Sequence, residues 1–188
     1  MDLQIQDRRV KRTQKLLAQA LIELILEKGF DTITIRDITE RADIGYATFF
    51  RHYQDKEALL HDVLDVVLDE IVNLLHLLPN DDPQQVGTLL FQYVQDHNAI
   101  VRVFLRSGSS SSLLQHILKI GTQNVLQEQT PLEDKQVPTE IAAYHLVAAT
   151  INLIGWWLDH NMPYPPERMG SIYKELIVEP TQRVAFRP

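Results

Sequence analysis

Thr34-Ile35-Arg36-Asp37-Ile38-Thr39-Glu40-Arg41-Ala42-Asp43-Ile44-Gly45-Tyr46-Ala47-Thr48-Phe49-Phe50-Arg51-His52-Tyr53-Gln54-Asp55-Lys56-Glu57-Ala58-Leu59 is the stretch that decides the fold. It reads as a short helix, a tight turn, a second short helix and the opening of a long one. The Thr34 hydroxyl can cap free amides, and Asp37, three residues on, can reach back, the spacing of a capping box. That helix ends near Ala42. Asp43 tolerates a left-handed backbone better than most residues and Gly45 accepts it freely, so Asp43-Ile44-Gly45 makes the turn, with Ile44 plugging the gap between helices. The second helix covers about Tyr46 to His52, and Asp55 caps a third that begins at Lys56. A helix-turn-helix of this kind holds its second helix away from the body, where it fits a DNA major groove.

Upstream, residues 8–15 hold five basic side chains, Arg8, Arg9, Lys11, Arg12 and Lys15, and no acid. They open a helix expected from about Arg8 to Lys28. Leu17, Leu21, Leu24 and Ile25 form its apolar stripe, and Gly29 is a left-handed stop with Phe30 folding back on the last turn. The net charge of −7 looks wrong for a nucleic-acid binder until it is placed: residues 1–60 balance at ten Lys/Arg against ten Asp/Glu, and the excess of acid lies wholly beyond. An acidic body with a basic N-terminal patch repels a polyanion everywhere except at that patch.

Downstream the chain reads as all-helical. Leu60, Val63, Val67, Ile71, Leu74 and Leu78 stripe a helix over 55–78, and Pro79-Asn80-Asp81-Asp82-Pro83 breaks it, with Pro83 suited to the first position of the next. One or two helices cover about 84–106. Ser107 to Ser112 is a loop and cap cluster, another helix spans about 111–129, and 130–138 is a polar loop. A strong helix follows from Thr139 to about Asn161, and a last one spans about 166–179, with Pro180 as its end. With no cysteine, disulfides, thiolate metal sites and cysteine nucleophiles are excluded, as suits a reducing cytoplasm. The first seven residues do not form a signal peptide, and no apolar run approaches the roughly 20 residues of a membrane helix. None of the eleven glutamates has a histidine three residues on, which excludes the helical di-iron motif. A phosphate-binding glycine loop, a His-Glu-x-x-His zinc motif and a Gly-x-Ser-x-Gly elbow are also missing.

Thr34, Ile35, Ile38, Ala42, Ile44, Thr48, Phe49, His52, Tyr53, Lys56, Glu57 and Leu59 resemble the N-terminal motif of TetR-type transcriptional regulators. The likeness is specific over about residues 9–60 and generic beyond. It implies a three-helix DNA-binding domain over 1–54 and a larger helical ligand-binding and dimerisation domain over 55–188, joined by the helix 55–78. The chain departs from the pattern at Thr39, where alanine is usual, at Asp43 and Gly45 in the turn, at Ala47, and at Phe50, where the common tyrosine would offer a phosphate a hydroxyl.

On this reading the expected function is a cytoplasmic, cofactor-free and metal-free regulator. It would be a repressor that binds a palindromic double-stranded operator as a homodimer, is released by a small-molecule effector, and has no membrane partner. The expected DNA-binding residues are Arg9, Arg12, Thr34 (whose free hydroxyl lies near the same face), Arg36, Tyr46, Ala47, Thr48, Arg51, His52 and Lys56. Tyr46 can stack on or hydrogen-bond a base or a phosphate. Ala47 and Thr48 are small enough to meet thymine methyls, and Arg36 can reach phosphate or guanine, or pair with Glu40 at helical spacing. Expected effector contacts are Phe91, Tyr93, His97, Phe104, Tyr144, His145, Asn152 and Trp156. The expected dimer interface is Ile151, Ile154, Gly155, Leu158, Ile172, Leu176 and Ile177. The alternative is a helical adaptor or enzyme that keeps the fold without sequence-specific DNA binding.

Overall fold

The computed structural model describes residues 2–76, 82–106 and 111–187. The expected break at 79–81, Leu78 and the serine-rich segment 107–110 lie outside the described residues. The chain divides into two compact units, residues 1–68 and 69–188. Among the described residues the regular secondary structure is helical apart from one isolated bridge, between Pro131 and Phe186.

In the first unit α1 (Asp2–Lys28) starts several residues before the expected Arg8. Its stripe of Leu17, Leu21, Leu24 and Ile25 is buried. Gly29 takes φ +76°, and its amide donates to the Ile25 carbonyl at 3.1 Å. A short 3-10 turn, Phe30–Thr32, leads to α2 (Ile35–Arg41). The capping box is complete: the Asp37 amide donates to Thr34 Oγ1 at 3.2 Å, and the Thr34 amide donates to Asp37 Oδ2 at 2.8 Å. The turn closes as a Schellman motif, with Asp43 at φ +53°. The Ile44 amide donates to Thr39 O at 2.9 Å, and the Asp43 amide to Glu40 O at 3.3 Å. Aspartate, not Gly45, takes the left-handed position. Gly45 is the extended N-cap of α3 (Tyr46–Phe49). That helix is shorter than expected because the Arg51 and His52 amides bond three residues back, to Thr48 and Phe49, and tighten its end into turns. Asp55 accepts from the Ala58 amide at 2.7 Å and starts α4 (Lys56–His76), whose Leu60, Val63 and Val67 are buried.

In the second unit α5 (Pro83–Asp96) carries Pro83 at its start, and Asp82 caps the Gln84 amide at 2.9 Å. Then come α6 (Asn98–Arg106), α7 (Ser111–Glu128), α8 (Thr139–Asp159) and α9 (Pro166–Tyr173). Pro180 does not end the last helix, as expected from its missing N–H. A π turn over Lys174–Val178 widens the backbone, the Glu179 amide reaches Lys174 O, and α10 (Glu179–Ala185) continues through the proline. The extra residue in the turn gives the ring room that a regular ladder denies it. Phe91 and Trp157 meet edge-to-face at 5.1 Å, both fully buried. The polar segment after α7 is tied to the chain's end: the Leu132 amide bonds Ala185 O, the Gln136 amide bonds Val184 O, and the Arg187 amide bonds Thr130 O.

One expectation needs correcting. By length and composition α8 is long and apolar enough to cross a membrane, with a third of that stretch buried within the chain, although one such helix is weak evidence of a span. Its apolar residues serve two sides: Ala142, Ala143, Val147, Ile154, Trp157 and Leu158 face the core, whereas Ile141, Tyr144 and Trp156 are exposed.

Candidate nucleic-acid interface

The interface is built from the α2–turn–α3 segment, and the surrounding contacts explain its rigidity. Arg41 at the end of α2 bonds Glu27 at 2.7 and 2.9 Å and Glu23 at 3.2 Å, fastening α2 to α1. These carboxylates hold the guanidinium pKa above its ordinary value, and Arg41 in turn lowers that of Glu27. Lys28 meets Asp37 at 3.0 Å. The hydroxyl and amide of Thr34, and then Lys28, hold the Asp37 carboxyl far below the usual carboxylate range.

The two short helices differ in what they expose. Phe49 is fully buried, so α3 is pinned by one side. Tyr53 packs beside Phe49 at 5.7 Å and donates its hydroxyl to Asp62 on α4 at 2.8 Å. Burial, and then Asp62, push that phenol well above its normal pKa. The opposite face of α3 and its following turn carries Tyr46, Ala47, Phe50 and Arg51, all exposed. Thr48 and His52 are half-buried. An open concavity of about 810 Å³ lies between α2 and α3, lined by Arg36, Thr39, Glu40, Asp43, Ile44, Gly45 and Tyr46. Thr39 is buried and turns its hydroxyl onto Arg36 O at 3.0 Å, so its extra oxygen is satisfied within α2.

Arg36 and Tyr46 thus line one concavity, and Ala47 and Arg51 are exposed on α3 and its following turn, with Thr48 and His52 half-buried. Arg12 is also exposed, on α1, and the Arg9 side chain lies outside the described residues. Arg36 pairs with Glu40 at 2.8 Å, and both side chains remain largely exposed. Two readings of these residues change. The Thr34 hydroxyl is not free: its proton goes to Asp37 Oδ2 at 2.7 Å, because the capping box consumes it. Lys56 does not present its ammonium outward. Its Nζ bonds Ile33 O at 2.9 Å, Phe30 O at 3.1 Å and Asp31 O at 3.5 Å, and sits 4.5 Å from the Phe30 ring centre. An ammonium, with three protons, is the donor that serves all three carbonyls. Sequence reasoning missed this clamp; it put Phe50 where a tyrosine would meet a phosphate, and the structure finds Phe50 exposed, four residues on from Tyr46.

Comparison with known families agrees with this geometry. Residues 17–63 match the family model for bacterial regulatory proteins of the tetR family. Residues 81–179, more than half of the chain, match that of a transcriptional regulator C-terminal region.

The chain belongs to the tetR family.

Its relatives are transcriptional regulators rather than enzymes. It is 29% identical over 178 residues to the uncharacterised HTH-type transcriptional regulator YxbF of Bacillus subtilis (strain 168), covering 91% of this chain and 46% of that protein. The chain therefore spans about half the length of that relative. To the HTH-type transcriptional regulator BetI of Escherichia coli (strain K12) it is 25% identical, covering 90% of this chain and 93% of BetI. The crystal structure of a TetR transcriptional regulator from Streptococcus agalactiae 2603V superposes with a TM-score of 0.66 at 20% identity, over 93% of this chain and 98% of the other.

In this tetR-family chain the expected effector contacts do not converge. Phe91 and Phe104 are core residues. Tyr93 donates to Glu70 at 2.8 Å and stacks near His97, which is exposed at the end of α5. Tyr144, His145, Asn152 and Trp156 lie on the exposed side of α8, with Trp156 stacked on His160 at 4.5 Å. Asn152 and Trp156 line a cavity of about 250 Å³ beside Arg102 and Leu114. Aromatic content marked these positions, but helical phase sends them to opposite sides. A second cavity, of about 170 Å³, is lined from five helices by residues that include Val72, Val86, Val125, Leu146, Tyr173 and Val178. Burial pushes the Tyr173 phenol up to about 12. Of the expected dimer residues, Ile154, Leu158 and Ile177 are buried within the protomer, where their helical phase points them at the core. Leu176 is 66% exposed, while Ile151, Gly155 and Ile172 are half-buried.

Proposed function

We propose that this tetR-family regulator is a repressor that binds a palindromic operator as a homodimer in the cytoplasm, with residues 1–54 reading DNA and residues 55–188 sensing an effector and dimerising. The observation that carries the reading is the exposed face of α3. Tyr46, Ala47 and Arg51 stand out from a segment otherwise locked by the buried Phe49, the capping box and the Arg41 bridges. Such rigidity is what a base-reading helix needs, since misplacement by a fraction of an ångström breaks groove contacts. Arg12, Arg51 and His52 would neutralise phosphates, with Arg9 extending the same basic stretch. Tyr46, Ala47 and Thr48 would meet base edges, and Arg36 would trade Glu40 for a phosphate or guanine. Thr34 and Lys56 act by shaping the domain.

For the effector, the mainly apolar cavity among α4, α5, α7, α8 and α9 fits better than the aromatic positions of α8, because five helices converge on it. A ligand there would shift the protein between DNA-competent and incompetent states only by its difference in affinity for the two. The test is binding of the full chain to duplexes selected from a randomised pool. Recovery of a palindromic site, bound by the wild type and lost by Tyr46→Ala with helical content unchanged, is the expected result. Selection of no specific duplex would instead favour the adaptor reading.

A further inference from the structure

Phe50 is left unused by the reading above, yet it is 47% exposed on the same face as Tyr46, itself 55% exposed. The two rings meet edge-to-face at 5.3 Å and 66°. Phe50 also meets the buried Phe49 edge-to-face at 5.4 Å and 77°. The exposed ring is therefore propped from two sides, against a core residue and against the first residue of α3. Among the described residues of the first unit, the other large exposed apolar side chains are Leu16, Leu26 and Val66, none of them on α3. An apolar patch of two aromatic rings on an otherwise polar helix-turn-helix face marks a surface whose partner is itself apolar.

We infer that Phe50, backed by Tyr46, is a specificity-determining residue that packs on the C5-methyl of thymine in the major groove. This role rests on the proposed DNA reading and on the chemistry of the ring. A phenyl ring has no donor or acceptor, so it reads neither a phosphate nor the hydrogen-bonding edge of a base. The apolar group a B-DNA major groove offers is the thymine methyl. Position also favours it: Phe50 follows Phe49 at the end of α3, one helical turn from Tyr46, so both rings lie on the side presented to the groove. The operator should therefore carry a thymine under this pair in each half-site.

The experiment uses the full chain and the duplex it selects. Each thymine is replaced in turn by deoxyuridine, which removes the methyl and leaves base pairing intact. Wild-type affinity should fall about four-fold at one or two positions per half-site, as expected for losing burial of one methyl-sized group. Phe50→Ala should lose the discrimination at one position per half-site, leaving any at thymines that Ala47 or Thr48 meet, and Phe50→Leu, which keeps an apolar contact and protects against a folding defect, should retain part of it. A wild-type deoxyuridine scan that is flat at every position, on a duplex that still binds specifically, overturns the role of Phe50 and leaves the DNA reading standing. A Phe50→Ala scan in which every methyl-sensitive position of the wild type stays sensitive overturns it as well. Failure to select any duplex removes both.

Discussion

Asp37 gathers more partners than any other carboxylate in α2: the amide and hydroxyl of Thr34, and Lys28 at 3.0 Å. Its folded-state pKa lies below the ordinary aspartate value. A depressed carboxyl contributes stability that is present above the unfolded pKa near 4 and lost as pH falls through the folded value. Asp37→Asn should therefore lower the thermal midpoint at pH 7, with the gap from wild type closing in strongly acidic solution; a gap that is constant with pH would mean the charge is immaterial. Lys56 makes a different case. Lys56→Met keeps the stem on Phe30 but strips the donor from the Ile33 and Phe30 carbonyls, at a cost of about 1–2 kcal/mol in denaturant melts. Because that ammonium is already engaged, the salt dependence of DNA binding should keep its slope. A slope reduced by about one would show that Lys56 reaches a phosphate after all. The caps of α2 and α4 were legible in the sequence because each is made within three residues. The Lys56 clamp was not, since its acceptors lie 23 to 26 residues away and converge only once the domain is folded.

Between elements, the tightest contact in the second unit is the crossing of α5 and α9, where glycine meets glycine. A Cβ on Gly170 would lie 2.6 Å from Gln84 O and 2.7 Å from the Thr88 amide nitrogen, and one on Gly87 would lie 2.9 Å from Gly170 Cα. These neighbours are backbone, so only separation of the helices relieves the clash. Gly170→Ala should destabilise the protein by about 1–3 kcal/mol, the usual range for overpacking, although alanine is the better helix former. Gly155→Ala is the control: its Cβ would meet only Leu105 Cδ1 at 4.0 Å, so within the protomer it should be neutral or stabilising. Equal losses at the two sites would show that the crossing is looser than described. The helices themselves followed from period and punctuation, but this crossing did not, because a glycine within a helix reads the same whether its open side meets solvent or another backbone. The π turn before Pro180 escaped for a related reason: proline ends a regular ladder, and local sequence does not announce the extra residue that lets the helix pass it.

For the molecule as a whole, the unexplained surface is apolar. Leu176 is 66% exposed, Ile141 61%, Tyr144 49% and Trp156 44%, and the last three share the outer side of α8. Isolated apolar residues on a surface are ordinary, but a stripe along a 21-residue helix is a candidate interface. A symmetric dimer uses one patch twice, which suits a pair of chains that would carry one recognition helix each to a two-fold operator. Charge placed in the patch should then separate the copies without touching the core. Ile141→Glu with Leu176→Glu should sediment as a monomer at micromolar concentration while keeping its helical content. Operator affinity should fall by more than about 100-fold, because the second half-site contact no longer benefits from the first. With half the phosphates neutralised per bound species, the slope of log affinity against log salt should drop to about half its wild-type value. That last measurement separates the two explanations of weak binding: a variant that merely misfolds loses amplitude at unchanged slope, whereas a separated dimer binds fully but with the smaller slope. A double variant that still sediments as a dimer would move the interface away from α8 and the π turn, and the exposed aromatics of α8 would then need a different partner.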